Sequence, residues 1–152
     1  MPQAAPSPFA IKRALAFMML RSQRLLSQQQ ERLFATIGLT VLQHVALQLL
    51  DEGLATVPTD IAKALSCDTG STTRLVDQLA DKGLVMRMRD GADRRQVSLA
   101  LTEEGRSVSE AARGVSSKYM QSLLTGFDEA EASAFSAYLS RFVARLEELN
   151  DS

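Results

Sequence analysis

Between residues 65 and 105 the apolar period switches from that of a helix to that of a strand, and this switch limits the fold more than any other feature of the chain. The spacing predicts a helix over residues 69–82. Thr72, Leu75, Val76 and Leu79 fall on one face and point inward. Gly70, Ser71, Thr73, Arg74, Asp77 and Gln78 fall on the other, and all are small or hydrogen-bonding. Asp68 is placed to accept from the free amides of the first turn, and Gly83 to stop the helix. The period then becomes two. Leu84, Met86 and Met88 alternate with Val85, Arg87 and Arg89, and Val97, Leu99 and Leu101 alternate with Gln96, Ser98 and Ala100. Asp90-Gly91-Ala92-Asp93-Arg94 between them is a turn with an arginine at its end. A helix feeding a hairpin with a basic tip is a winged helix.

The whole chain of 152 residues carries a net charge of −1 and 45% apolar residues. That is enough apolar matter for a core, and one domain is the default, with room for an extended helical element. A slightly acidic chain that reads DNA must concentrate its positive charge locally. A single cysteine excludes an intrachain disulfide and fits a reducing compartment. No run of 18 apolar residues exists, so no membrane span is expected. Lys12-Arg13 before an apolar run at 14–20 mimics a short signal peptide, but Arg21 ends the run and no small-residue cleavage site follows. The chain is read as cytoplasmic.

Residues 1–8 hold three of the four prolines and read as a loose tail. A helix is expected from Phe9 to about Gln28, with Ile11, Leu15, Met18, Met19, Leu25 and Leu26 as its stripe. A further short helix should end at Gly38. Residues 9–34 carry five Lys/Arg against Glu31, which is read as a solvated face around a core stripe. Thr40-Val41-Leu42-Gln43 is a capping box opening the next helix. Pro58 opens another, after Val57, which cannot cap. Helices 58–65 and 69–82, joined at Ser66-Cys67-Asp68, make a helix-turn-helix. Thr102 caps a long helix that Gly126 breaks, and Asp128-x-x-Glu131 opens the last one. That helix carries Phe135, Leu139, Phe142, Val143, Leu146 and Leu149 on one face. Residues 128–151 hold six acids against Arg141 and Arg145.

The segment STTRLVDQLADKGLVMRMRDGADRRQVSLALTEEG resembles the recognition helix and wing of the MarR (multiple-antibiotic-resistance regulator) family. The D-x-x-D-R-R of the wing and the L-T-x-E-G after it are its most specific parts, and GLTVLQHVAL upstream resembles the family's GLT-x-x-Q opening. The motifs cover residues 33–105. The resemblance implies a mainly α fold with a small β-hairpin wing: a winged helix-turn-helix with N- and C-terminal dimerisation helices. It implies a tail at 1–8, dimerisation helices at 9–37 and 102–152, and a DNA-binding region at 38–101. It also implies a homodimer on double-stranded DNA, most often a repressor, released by a small aromatic or amphipathic effector. No cofactor or metal is expected.

Arg94 is the residue expected to anchor the DNA, because a hairpin tip is narrow enough to enter a minor groove. Asp93 would orient a wing arginine; alternatively Asp93, Arg94 and Arg95 only hold the turn together. Arg87 and Arg89 are placed on the solvent face of their strand, where they touch phosphates or keep the edge soluble. Ser71, Thr73, Arg74 and Gln78 face a major groove, and Arg74 suits a guanine edge or a phosphate. The helix is poorer in base than the family's usual pattern, so affinity should lean on the wing. His44 stands where many family members have an aromatic residue, close to the family's ligand cavity; the plainer reading is a packed histidine. Cys67 does not match the first-helix thiol of peroxide-sensing relatives and reads as a small buried side chain. An enzyme is disfavoured: the one His and one Cys lie in different segments, and no metal-ligand spacing or phosphate loop is present. Two rivals stay open. One is a winged-helix module that binds protein; the other is a redox-controlled DNA binder using Cys67.

Overall fold

The computed structural model describes residues 7–89 and 97–150. Six helices and one hairpin follow in the order α1 (Pro8–Ala35), α2 (Val41–Asp51), α3 (Pro58–Leu65), α4 (Thr69–Asp81), β1 (Val85–Arg89), β2 (Val97–Leu101), α5 (Glu103–Leu123) and α6 (Glu129–Asn150). The chain divides into two compact units, one running to Val115 and the other from Ser116.

In the first unit, the N-terminal region is one helix of 28 residues, not the two that the stripe suggested. No glycine or proline falls between Phe9 and Ile37, so nothing interrupts the hydrogen-bond ladder. Gly38, in the left-handed conformation at φ +71°, turns the chain into α2. The capping box there is complete. The Thr40 hydroxyl accepts from the Gln43 amide at 3.2 Å, and Gln43 Oε1 accepts from the Thr40 amide at 3.2 Å.

The core gathers Phe34, Ala46, Leu47, Ile61, Val76, Leu79, Leu99 and Leu101 with their neighbours. These come from the C-terminal end of α1, from α2, α3 and α4, and from the hairpin. Three buried residues of α4, Leu75, Val76 and Leu79, lie on the face that the sequence assigned inward, with Thr72.

The hairpin is antiparallel, with Val85 opposite Leu101, Arg87 opposite Leu99 and Arg89 opposite Val97. The faces of β2 are as expected, but those of β1 are the reverse. Val85 is buried with Leu99 and Leu101, while Met86 and Met88 are exposed. Leu84 is also buried, but it precedes the strand. Counting the alternation from Leu84 therefore put Arg87 on the wrong face. Arg87 shares the face of Val85, and its guanidinium pairs with the Asp77 carboxylate on α4. The Leu99 amide donates to the Thr56 carbonyl at 2.8 Å, which fastens β2 to the segment leading into α3.

The hairpin hands the chain to α5 through Thr102. Its hydroxyl donates to the Gly83 carbonyl at 2.6 Å and accepts from the Gly105 amide at 2.9 Å. In the second unit, α6 opens on the expected box: Asp128 Oδ1 accepts from the Glu131 amide at 2.8 Å, and Glu131 Oε2 accepts from the Asp128 amide at 3.0 Å. None of the residues of α6 is buried. No helix among the described residues is long and apolar enough to cross a membrane.

Candidate nucleic-acid interface

The second helix of a helix-turn-helix reads DNA only if it is held rigidly and its outer face is polar. Both conditions start in the turn before it. Val57 makes no side-chain cap for α3. The Asp60 carboxylate fastens the start of α3 from the other side, accepting from the Thr56 amide at 2.9 Å and the Val57 amide at 3.2 Å. These two donors hold its pKa below the usual carboxylate value. Ser66 ends α3 in the left-handed region at φ 51°. Asp68 then caps α4, with Oδ1 accepting from the Ser71 amide at 2.9 Å and Oδ2 from the Ser71 hydroxyl at 2.6 Å.

The outer face of α4 is as polar as the sequence suggested, and its side chains are already partly committed. Ser71, Thr73, Arg74 and Gln78 are exposed. The Ser71 hydroxyl proton is used on Asp68, and the Thr73 hydroxyl donates to the Thr69 carbonyl at 2.8 Å. Each oxygen therefore meets a further partner as an acceptor. Gln78 Oε1 accepts from Gln43 Nε2 at 3.1 Å. Asp77, which would repel a phosphate, is neutralised by Arg87. The structure brings Ser71, Thr73, Arg74, Gln78 and Arg87 onto α4 and the strand beside it. The candidates Asp93, Arg94 and Arg95 lie outside the described residues.

Two residues missed by the sequence reading sit behind this face. Gln43 is 3% exposed, and its Oε1 accepts from Lys82 Nζ at 2.8 Å. Lys82 Nζ also donates to the Gly38 carbonyl at 2.6 Å. The capping motif gave Gln43 one role, but contacts across 35 and 39 residues leave no mark on local spacing.

His44 is buried and stacked on Phe34, with ring centroids 4.3 Å apart and planes inclined by 22°. Its Nδ1 is buried without a hydrogen-bond partner among the described residues. Burial lowers its pKa below the ordinary 6.5. The neutral ring is thus favoured in the fold, and its contribution to stability is complete above pH 6.5 and is lost as the pH falls through the lowered value. The wild-type melting temperature should fall as the pH drops below 6.5, and His44→Phe should flatten that fall while keeping the stack. Thermal melts across pH 5–8 check this; parallel curves would contradict it. Cys67 is half-buried, with Sγ 3.5 Å from the Leu65 carbonyl. No group of three or more potential metal ligands occurs among the described residues.

A family model described as the MarR family matches residues 39–97, which take in α2, α3, α4 and β1. The organic hydroperoxide resistance transcriptional regulator of Bacillus subtilis is 29% identical over 102 residues, 67% of this chain and 69% of its own length. The family that this chain resembles is the MarR family. The HTH-type transcriptional regulator TtmR of Methylorubrum extorquens is 33% identical over 103 residues, 66% of this chain and 52% of its own length, so the match spans about half of that relative. Among solved structures, a mutant MarR from Escherichia coli complexed with operator DNA superposes with a TM-score of 0.76 at 22% identity, covering 90% of this chain and 99% of that one. The last likeness is one of fold. The matched residues include α4 and β1, so both lie in the part of the chain that resembles the family.

Proposed function

We propose that two copies of this chain form a dimer that binds double-stranded DNA in a sequence-dependent way and thereby represses transcription in the cytoplasm. The observation that carries the reading is α4 itself: an inner face sealed by Thr72, Leu75, Val76 and Leu79, and an outer face of exposed hydrogen-bonding groups. The operator complex of the Escherichia coli relative supports it. In this reading α4 enters the major groove, with Ser71, Thr73, Arg74 and Gln78 toward base edges and phosphates. Arg94 and Arg95, with Asp93 orienting them, lie by the minor groove, and Arg89 borders a phosphate. Arg87 acts indirectly, by tying the wing strand to α4 through Asp77. Residues 9–37 and 102–152 supply the dimer contacts. A small aromatic or amphipathic acid, admitted near His44, releases the DNA by favouring a different spacing of the two α4 helices.

A division of labour follows. Residues 85–96 hold four arginines against two aspartates, whereas residues 69–82 hold Arg74 and Lys82 against Asp77 and Asp81. Affinity should therefore rest on the wing and base reading on α4. Arg94→Ala is expected to weaken binding to preferred and scrambled duplexes together, and to lower the log–log salt slope by about 1 per lost phosphate contact. Substituting Arg74 is expected to cost about 1–3 kcal/mol on the preferred duplex alone. Gel shifts with both duplexes at several salt concentrations measure both effects.

One observation favours the protein-binding alternative: Met86 and Met88 are exposed on the outer face of the wing, at 44% and 46%. If Arg94→Ala binds both duplexes like the wild type at every salt concentration, the wing is not a DNA anchor and that alternative gains.

A further inference from the structure

The side chains behind α4 form a polar chain with a fixed direction. Lys82 ends α4, and its ammonium can only donate. It donates to the Gly38 carbonyl at 2.6 Å and to Gln43 Oε1 at 2.8 Å. The Thr40 amide, a second donor, meets the same Oε1 at 3.2 Å. With its oxygen held by two donors, the Gln43 amide must present its nitrogen to the third partner. It does so, donating from Nε2 to Gln78 Oε1 at 3.1 Å. The orientation of each amide is therefore dictated by the cation at the start of the chain. Gln43 is 3% exposed, so flipping its amide would set donor against donor in a place where water cannot compensate.

Resting on the DNA-binding reading above, we propose that Gln43 and Lys82 are positioning residues that fix the polarity of Gln78, so that Gln78 offers donors to the DNA and reads an acceptor edge. A glutamine that contacts adenine uses both ends of its amide, the nitrogen toward N7 and the oxygen toward the N6 amino group. Here the Gln78 oxygen is turned to Gln43 and spends one of its two lone pairs there, so its two N–H groups are the larger part of what the side chain has left to offer. Their partners in the major groove are purine N7, guanine O6 or thymine O4. The same chain joins the Gly38 turn and the N-terminus of α2 to the end of α4. The seat of α4 and the polarity of one reading side chain are thus set together.

The test begins with the wild-type protein and a random pool of duplexes, from which its preferred sequence is selected. Gln78→Ala then locates the base pair that Gln78 touches. At that pair, removing a major-groove acceptor (7-deazapurine, or loss of the thymine O4) should weaken the wild type five- to tenfold. Removing an adenine 6-amino group there should change nothing. Gln43→Leu alters no charge, so its salt slope should match the wild type, and its affinity for scrambled DNA should stay within twofold. Its preference for the selected duplex should fall at least fivefold, with helix content and dimer mass retained, which a merely structural role would not produce. If Gln43→Leu does not fold, Gln43→Met, which also alters no charge, carries the same comparison. A folded variant that keeps its preference within twofold overturns the proposal, as does a wild type that needs the 6-amino group at the Gln78 position. A wild type that selects no sequence at all overturns the DNA-binding reading beneath it.

Discussion

Gly105→Ala is expected to destabilise the first unit by about 3 kcal/mol or more, which is severe for the addition of one methyl group. Gly105 is buried in the first turn of α5, and a Cβ there would collide with the Leu84 carbonyl oxygen. That oxygen cannot move aside, because it accepts from the Thr102 amide at 3.1 Å and so closes the end of the hairpin. Nor can α5 retreat freely, since the Thr102 hydroxyl ties its start to the Gly83 carbonyl. The strain must spread into the turn that joins α4 to the wing. Gly114 supplies the control. It lies in the same helix, and a Cβ there meets nothing within 4 Å. Gly114→Ala should stabilise by about 0.5–1 kcal/mol, because alanine loses less backbone freedom in a helix. Urea unfolding of the two variants checks the contrast; equal midpoints would contradict the packing described at Leu84.

The second large effect concerns the uncovered face of α6. Phe135, Leu139, Phe142, Val143, Leu146 and Leu149 recur at helical spacing and are 41–58% exposed. So continuous an apolar face on a lone chain marks an interaction surface. The proposed dimer assigns it to a second copy. Burying one leucine contributes about 1.5–3 kcal/mol, and two-fold symmetry counts each position twice. Leu139→Glu with Leu146→Glu should therefore remove on the order of 6 kcal/mol or more of association energy. The wild type is expected to sediment at twice the chain mass at micromolar concentration, and the double variant at the chain mass. DNA affinity should fall with the dimer, because half-sites about 34–36 Å apart need two linked recognition helices. A wild type that sediments as a monomer would contradict the account.

How far the sequence revealed this arrangement depends on the range of the interaction. The two complete capping boxes, at Thr40 and Asp128, were legible because a cap and its partner lie three residues apart. The inner face of α4 was legible because Leu75, Val76 and Leu79 follow the helical period and the structure buries all three. The continuity of α1 was not, since Gln28-Gln29-Gln30 breaks the apolar stripe without breaking the helix. The orientation of Arg87 was misread because Leu84 and Val85 are adjacent and both buried, one in the turn and one in the strand. Alternation cannot show where a strand begins. In the candidate interface, the exposed residues of α4 were readable from the helical wheel. The support behind them was not, because Lys82 meets Gln43 only after the chain has folded back through α3.

Whether this fold reads DNA is decided by fluorescence anisotropy of the wild-type protein with a selected and a scrambled duplex between about 50 and 200 mM salt, the range over which phosphate contacts are titrated. The expected result is tighter binding of the selected duplex at every salt concentration. The logarithm of affinity should fall linearly with the logarithm of salt for both duplexes, and saturation should come at two chains per site. Equal binding of both duplexes, or none at the lowest salt, would contradict the account.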